Sequence, residues 1–318
     1  MNRPRVGITL GDPRGIGPEV TAAALASVDG VADGVEAVLV GPRGLGEIER
    51  RLGHIARETV GDWDPAGGEK LAGELSGRAI ERAVELARAG EVDGIVTAPI
   101  SKAALRAAGY PYPGHTEFLQ TLTGVDEVTM MMAAERTPLG GPLRLALLTA
   151  HLPLREVPST LDVRLVTRRT SIAIEALRTW WGIGRPRVAF AGLNPHAGEG
   201  GLFGTEEIEV FGPALERLGA DPDLELLGVF PGDTVFLKAL GGQADLIVTP
   251  YHDVGLAVLK TIAMNEGVNV TAGLPFPRTS PDHGTAMDIA GRGKADPGAM
   301  RAAIDLCARF CAARVAAS

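Results

Sequence analysis

Cysteine is nearly absent: the chain has two in 318 residues, Cys307 and Cys311. They stand four apart in a helical run and share one helix face, so they could approach one another; they read as small core-facing thiols in a reducing compartment. There is no block of Lys and Arg, and the formal net charge is −8. A nucleic-acid partner is therefore not expected, and an anionic substrate would have to be held by a few local cations. No apolar stretch is long enough to span a bilayer, and the opening MNRPRVGITLGDP lacks a signal-peptide pattern. The expectation is a cytoplasmic protein without membrane association. Internal repeats and low-complexity tracts are also missing.

Hydrophobic residues make up 45% and charged residues 22%, the balance of a soluble globular protein. The length allows a large core and two domains. Apolar runs predict strands at 6–10, 37–40, 94–97, 128–133, 143–149, 187–191, 245–249 and 268–271. Amphipathic segments predict helices at 18–28, 70–89, 102–108, 116–122, 161–180, 206–218, 234–240 and 297–313. Thr205 with Glu206 and Glu207 reads as a helix start, its negative charge near the positive end of the dipole. This alternation predicts an α/β fold, a mostly parallel sheet with helices on both faces. Long Gly/Pro-rich loops at 41–46, 62–68, 192–204 and 274–284 break the pattern and read as shaped for function.

Three of the six histidines, His151, His196 and His252, stand just past the runs LRLALLT, RVAFA and DLIVT. Ligands of open α/β sheets bind at the carboxyl ends of strands. Three imidazoles there suit one divalent metal with an open coordination position. Polar loop residues are equally ordinary at strand ends, so the pattern alone leaves both readings standing. GLNPHAGEGGLFGTEE surrounds His196 with glycines that allow close approach to a ligand. In TPYHDVGLAVLK, Asp253 is placed to orient an imidazole or to serve as a further ligand. Asp233 is a second such acid or a plain N-cap. In TAPISKAALRAAGYPYPGHTEFLQ, Ser101 caps one helix and His115–Thr116 opens another; His115 reads as an oxyanion-binding residue or a capping one.

The segment HGTAMDIAGRGKADP, within RTSPDHGTAMDIAGRGKADPGAM, resembles the adenosine-binding loop of isocitrate and isopropylmalate dehydrogenases, whose NAD-using members read HGSAPDIAGKGIANP. Those enzymes bind nicotinamide cofactors without a Rossmann GxGxxG, and GDPRGIGPE at the first strand here is not one. A carboxylate such as Asp288 accepts hydrogen bonds from ribose hydroxyls and repels a 2′-phosphate, so NAD is preferred over NADP. Seven blocks in order (GDPRGIGPE, TAPISKAAL, YPGHTEFL, HLPLREV, GLNPHAGEGGLFGTEE, YHDVGLAVLK and GVNVTAGLPFPRTSPDHGTAMDIAG) look like the 4-hydroxythreonine-4-phosphate dehydrogenase (PdxA) family of vitamin B6 synthesis.

The resemblance implies a two-domain isocitrate/isopropylmalate dehydrogenase-like fold with the site in the interdomain cleft. Residues 1–128 plus 266–318 would form the cofactor-binding domain, and 129–265 the metal, substrate and dimerisation domain. Metal binding falls to His151, His196 and His252, and substrate binding to His115, Thr116, Lys260, Asn269 and Arg278. The NAD site falls to Thr279, Asp282, His283, Gly284, Thr285 and Asp288. The family is homodimeric, with a metal site shared between subunits; zinc is the first choice of metal, with Mg or Co as others. The implied chemistry is oxidation of the C3 hydroxyl of 4-phosphohydroxy-L-threonine by NAD+, then loss of CO2 to give 3-amino-2-oxopropyl phosphate. Lys260, Asp253 or a water would be the base.

Four positions depart from the family pattern: Arg14 for a small residue, Val254 for the Gln of YHDQG, Ala257 where proline often follows, and Pro281 within RTSVDHG. They leave open a paralogous 4-phospho-D-threonate or D-erythronate 3-dehydrogenase, or a dihydrodiol dehydrogenase. A non-redox phosphate acyltransferase-like protein and a binding protein with structural zinc are the other classes; the HGTAMDIAG loop argues against the first. Structural zinc sites are closed four-ligand sets, often rich in cysteine, which argues against the second.

Overall fold

The computed structural model describes residues 3–26 and 35–317. Its strands are β1 (Arg5–Thr9), β2 (Glu36–Arg43), β3 (Ala56–Asp62), β4 (Gly94–Thr97), β5 (Thr129–Ala134), β6 (Leu143–Leu147), β7 (Arg187–Ala191), β8 (Glu225–Phe230), β9 (Leu246–Thr249), β10 (Val268–Ala272) and β11 (Arg278–Pro281). The helices are α1 (Gly17–Ala26), α2 (Glu47–Arg51), α3 (Gly68–Arg88), α4 (Lys102–Ala107), α5 (His115–Thr123), α6 (Val157–Thr160), α7 (Val163–Thr179), α8 (Gly212–Leu218), α9 (Phe236–Leu240), α10 (His252–Ala263) and α11 (Gly298–Ala317). Of the helix expected over 18–28, residues 27 and 28 lie outside the described residues.

The chain forms two compact units, Met1–Asp126 with Leu274–Ser318, and Glu127–Gly273. In the first, the strand order is β3-β2-β1-β4-β11 and every pair is parallel. Val6, Ile8, Val38, Val40, Ile95 and Val96 are all buried, as strands covered by helices require. Both cysteines lie buried under this sheet and are unbridged. A Cβ on Gly94 would stand 2.6 Å from the Cys311 sulfur and 2.9 Å from that of Cys307, so the glycine makes room for the thiols.

The second unit has the order β10-β5-β6-β9-β7-β8. Here β10 and β5 pair antiparallel, as do β5 and β6, and the others are parallel. Leu143, Leu145, Leu147, Ala189, Ile247 and Leu259 belong to one buried core cluster. The antiparallel pairing of Val268–Ala272 with β5 puts β10 in this unit. The second crossing between units therefore falls after Gly273, later than the 265/266 boundary expected from sequence.

Three strands, β3, β8 and β11, and three helices, α2, α6 and α10, go beyond the pattern read from sequence. ARETVGD (β3) is an edge strand with no fully buried position and no apolar run, and ELLGVF (β8) is only partly buried, its apolar residues interrupted by Gly228. RTSP (β11) owes its strand conformation to pairing with β4. The helix expected over 206–218 opens with a π turn, Glu207–Phe211, before α8. Among the described residues, no helix is long and apolar enough to cross a membrane.

Candidate functional site

In the second unit, the ends of β6 and β9 are held side by side. Leu147 pairs with Thr249, the Leu148 N–H donates to Thr249 O at 2.9 Å, and the Thr149 hydroxyl donates to Pro250 O at 2.8 Å. The chains leaving these strands deliver His151 and His252 to one cavity of about 210 Å³, with ring centroids 5.6 Å apart. Asp253 and Tyr251 also line it, and Leu152 and Leu154 form its apolar wall. His252 opens α10, and its Nδ1 lies 2.6 Å from Asp253 Oδ1. An ionised carboxylate only accepts, so this contact assigns the proton to Nδ1 and leaves the Nε2 lone pair available to a ligand. Asp253 thus orients the imidazole. Val254 packs on the core cluster, with Gly232 beside it, which accounts for an apolar residue there.

His196 sits in the turn Pro195–Gly201 and does not join the other two. Among the described residues, no three His, Cys, Asp or Glu side chains are grouped to hold a metal ion. His151 and His196 each have φ of 54°, in the left-handed region that non-glycine residues rarely occupy. Large apolar side chains stand exposed close to both in sequence: Leu152, Leu154, Leu202, Phe203 and Ile208. Lys260 is half-buried on α10, two turns beyond His252 and about 12 Å further along the axis. It is not part of the cavity lining. Asn269 lies on β10 with its buried Oδ1 lacking a hydrogen-bond partner.

Asp233 is exposed in the turn before α9, whose N-cap is Val235, so the N-cap reading of Asp233 is corrected. Glu206 and Glu207 do more than sit at a helix start: both carboxylates reach back to Asn194. Sequence reasoning missed this, and the signal available was a pair of acids directly after a glycine-rich loop. It also missed Arg169, whose guanidinium donates to Leu148 O just ahead of His151.

The first unit holds a second cluster. Gly114 occupies the N-cap of α5 with no side-chain cap, and His115 is the first helical residue, which removes the capping reading of His115. Its Nε2 is buried without a partner. Burial and the nearby Arg278 guanidinium hold its pKa well below the ordinary 6.5, so the imidazole is neutral. Arg278 is 2% exposed and donates through Nε to the Thr97 hydroxyl at 3.2 Å. Burial lowers its pKa to about 10, so it stays cationic at neutral pH. A neutral imidazole beside a buried cation is chemistry that suits an anion. Thr116 follows His115 in the first turn of α5, half-buried. Ser101 caps α4 as expected, accepting from the Ala104 N–H at 3.2 Å.

The two glycine-rich loops of this unit are bound to each other. The Ile16 N–H donates to Thr285 O at 2.9 Å, and the Gly291 N–H donates to the Glu19 carboxylate. Arg14 is fixed by two bonds to the buried Asp12, Nη2–Oδ2 at 2.8 Å and Nε–Oδ1 at 3.1 Å. In and just before the HGTAMDIAG segment, Gly284 and Asp288 are exposed and Asp282, His283 and Thr285 are half-buried. His283 Nδ1 lies 3.1 Å from Gly284 O and its Nε2 is buried without a partner. Thr279, also in the expected cofactor set, is placed differently. It is fully buried, and its hydroxyl donates to Ala303 O at 2.7 Å, so it ties β11 to α11 and offers no surface to a ligand.

The architecture is that of the isocitrate dehydrogenase class: isocitrate dehydrogenase from Methylococcus capsulatus superposes with a TM-score of 0.53 over 96% of this chain and 83% of its own, at 16% identity, a likeness of fold alone. The family is sharper. Residues 36–307 match the family model of the pyridoxal phosphate biosynthetic protein PdxA, and the chain belongs to that family. The 4-hydroxythreonine-4-phosphate dehydrogenase of Desulfosudis oleivorans is 41% identical, with 96% of this chain and 95% of that one aligned. The crystal structure of 4-hydroxythreonine-4-phosphate dehydrogenase from Klebsiella pneumoniae superposes with a TM-score of 0.85 at 37% identity, over 97% and 98% of the two chains. The protein is accordingly a dehydrogenase.

Proposed function

We propose that this chain oxidises the C3 hydroxyl of 4-phosphohydroxy-L-threonine with NAD+, and that the resulting 2-amino-3-oxo-4-phosphonooxybutanoate loses CO2 to give 3-amino-2-oxopropyl phosphate. The observation that carries the reading is the pairing of His151 with His252, the latter held by Asp253, in a cavity at the ends of β6 and β9. Two imidazoles with a carboxylate behind one of them are the donor chemistry of a divalent metal, zinc ahead of Mg or Co. Such an ion, when bound, supplies Lewis acidity toward the substrate hydroxyl and its oxidised product.

His196 would complete the ligand set from a second copy of the chain. The lack of a three-ligand group in the described residues of one copy and the exposed leucines and Phe203 beside the histidines both support a shared site. Arg278 and neutral His115 would hold an anionic group of the substrate, with Thr116, Asn269 and Lys260 as further contacts. The hydroxyl proton would pass to Lys260 or to a water, since Asp253 is committed to His252, and NAD+, when bound, would supply the hydride acceptor. NAD+ would lie along Gly284–Asp288, where the exposed Asp288 carboxylate would accept from the ribose hydroxyls. The unbridged cysteines agree with a reducing, cytoplasmic setting.

A 340 nm assay comparing 4-phosphohydroxy-L-threonine with 4-phospho-D-threonate, with NAD+ and added Zn2+ or Mg2+, tests the reading. Preference for the first substrate is expected. Preference for 4-phospho-D-threonate would reassign the chain to the paralogous 3-dehydrogenases, and absence of NADH with either would sink the redox reading. The variant His196→Ala should lose turnover and bound metal together.

A further inference from the structure

We infer that Glu207 is a positioning residue for His196, locking the turn that carries it in a left-handed backbone; the inference rests on the reading of His196 as a metal ligand. Five consecutive residues, His196, Ala197, Gly198, Glu199 and Gly200, have φ of 54°, 53°, 78°, 42° and 67°. Left-handed turns place Cβ against the following carbonyl, and three of these five residues have a Cβ. Such a run persists only where its surroundings over-determine it.

The surroundings centre on the Glu207 carboxylate. Glu207 Oε1 accepts the Leu193 N–H at 2.8 Å and the Asn194 N–H at 2.9 Å, and Oε2 accepts from Asn194 Nδ2 at 3.0 Å. Glu206 Oε2 accepts from the same amide at 2.7 Å. Glu207 is only 9% exposed, so these charge-assisted bonds compete little with water. The loop's glycines are cut to fit the group. A Cβ on Gly198 would stand 2.8 Å from Oε2, one on Gly192 3.1 Å from Oε1, and one on Gly204 2.4 Å from Asn194 Nδ2. The π turn Glu207–Phe211 begins at this residue, a local widening of the kind that often marks functional positions. The carboxylate thereby fixes Leu193–Asn194, and Asn194 O in turn accepts the Ala197 N–H at 3.0 Å, directly after His196.

The test is a Co2+ titration of the full-length protein, following the d–d absorbance of the bound ion, with NAD+ affinity and thermal stability measured in parallel. Glu207→Gln keeps an oxygen for the backbone donors but turns an amide donor toward Asn194. It is expected to raise the Co2+ Kd roughly 10- to 100-fold, the usual effect of losing a ligand's support. It should also alter the d–d band and leave the NAD+ Kd unchanged. Glu207→Asp is the milder variant and decides the matter if Glu207→Gln does not fold; a smaller loss with an altered band is expected. His196→Ala separates the two levels. Wild-type Co2+ binding by His196→Ala removes the ligand reading itself. Loss of binding in His196→Ala alongside wild-type affinity and spectrum in the folded Glu207 variants overturns the positioning role alone.

Discussion

Replacing Gly15 with alanine would put a methyl group 2.8 Å from the carbonyl oxygen of Thr285 and 3.0 Å from its Cβ. Gly15 does not need a left-handed φ, so it is glycine for space alone and the cost of alanine is steric. The obstacle is backbone, which cannot swing away as a side-chain tip would. Overpacking of this kind costs about 1–3 kcal/mol. Loss of chain freedom in the unfolded state returns about 0.4–1 kcal/mol of that. Stretching the adjacent bond from the Ile16 N–H to Thr285 O adds about 0.5–1.5 kcal/mol. The sum is a net destabilisation of about 0.5–4 kcal/mol, and at roughly 2–4 °C per kcal/mol a fall in Tm of about 1–16 °C.

The same wedge displaces the segment carrying Thr285 and Asp288. If that segment binds NAD+, the cofactor Kd should rise about 5- to 150-fold for a loss of about 1–3 kcal/mol. Gly284→Ala is the internal control for stability, because a Cβ there meets nothing within 4 Å. Its stability should stay within about 0.5 kcal/mol of wild type. Tm by circular dichroism and NAD+ Kd by calorimetry on both variants decide the matter. A wild-type Tm for Gly15→Ala, or a larger loss for Gly284→Ala, refutes the packing argument. A lowered Tm with unchanged NAD+ affinity refutes the placement of the cofactor.

Because burial holds the His115 pKa well below 6.5, the unfolded chain takes up a proton that the folded chain refuses once the pH drops below that value, and stability falls toward acid. Urea unfolding at pH 7 and pH 5 should show a smaller loss for His115→Gln than for wild type; equal losses would rule the buried neutral imidazole out. Thr97→Val removes an acceptor from the buried Arg278 guanidinium and should cost about 1–3 kcal/mol, with weaker binding of inorganic phosphate if this is the anion site; an unchanged unfolding midpoint contradicts it. Asp253→Ala frees the His252 ring and should weaken Zn2+ about 10-fold, the low end for such supports because the carboxylate is exposed; competition with a chromogenic chelator measures this, and wild-type affinity would deny Asp253 its orienting role.

The three histidines were legible because each ends an apolar run, and burial made those runs plain. The helix that His252 opens was not. Its N-cap is Tyr251, with no side-chain bond to announce a start, and Val254 and Gly255 follow directly, residues of poor helix propensity. β11 was hidden for a related reason: RTSP has no strand pattern of its own and is shaped by pairing with β4. The Thr97–Arg278 contact joins residues 181 apart, and no local rule reaches that far. The left-handed turn at His196 is set by Glu207, whose acidity in sequence suggested a helix dipole. In each case, tertiary pairing overrode or replaced the local signal.

His151, His196 and His252 occupy backbone positions that each cost something or use a special feature. Two sit at φ of 54°, and the third heads a helix with its ring tied to Asp253. A residue with φ above zero and a side chain costs of order 1–3 kcal/mol. Ordinary loop polarity would give no reason to retain two such residues at two strand ends. A ligand set divided between two copies of a chain does give one. Each half must keep its imidazoles aimed before the other arrives, since ordering them on assembly would be subtracted from affinity. If the ligand set is divided in this way, the strain in the free chain falls where the metal would recover it, and at His196 the Glu207 carboxylate holds the loop in place.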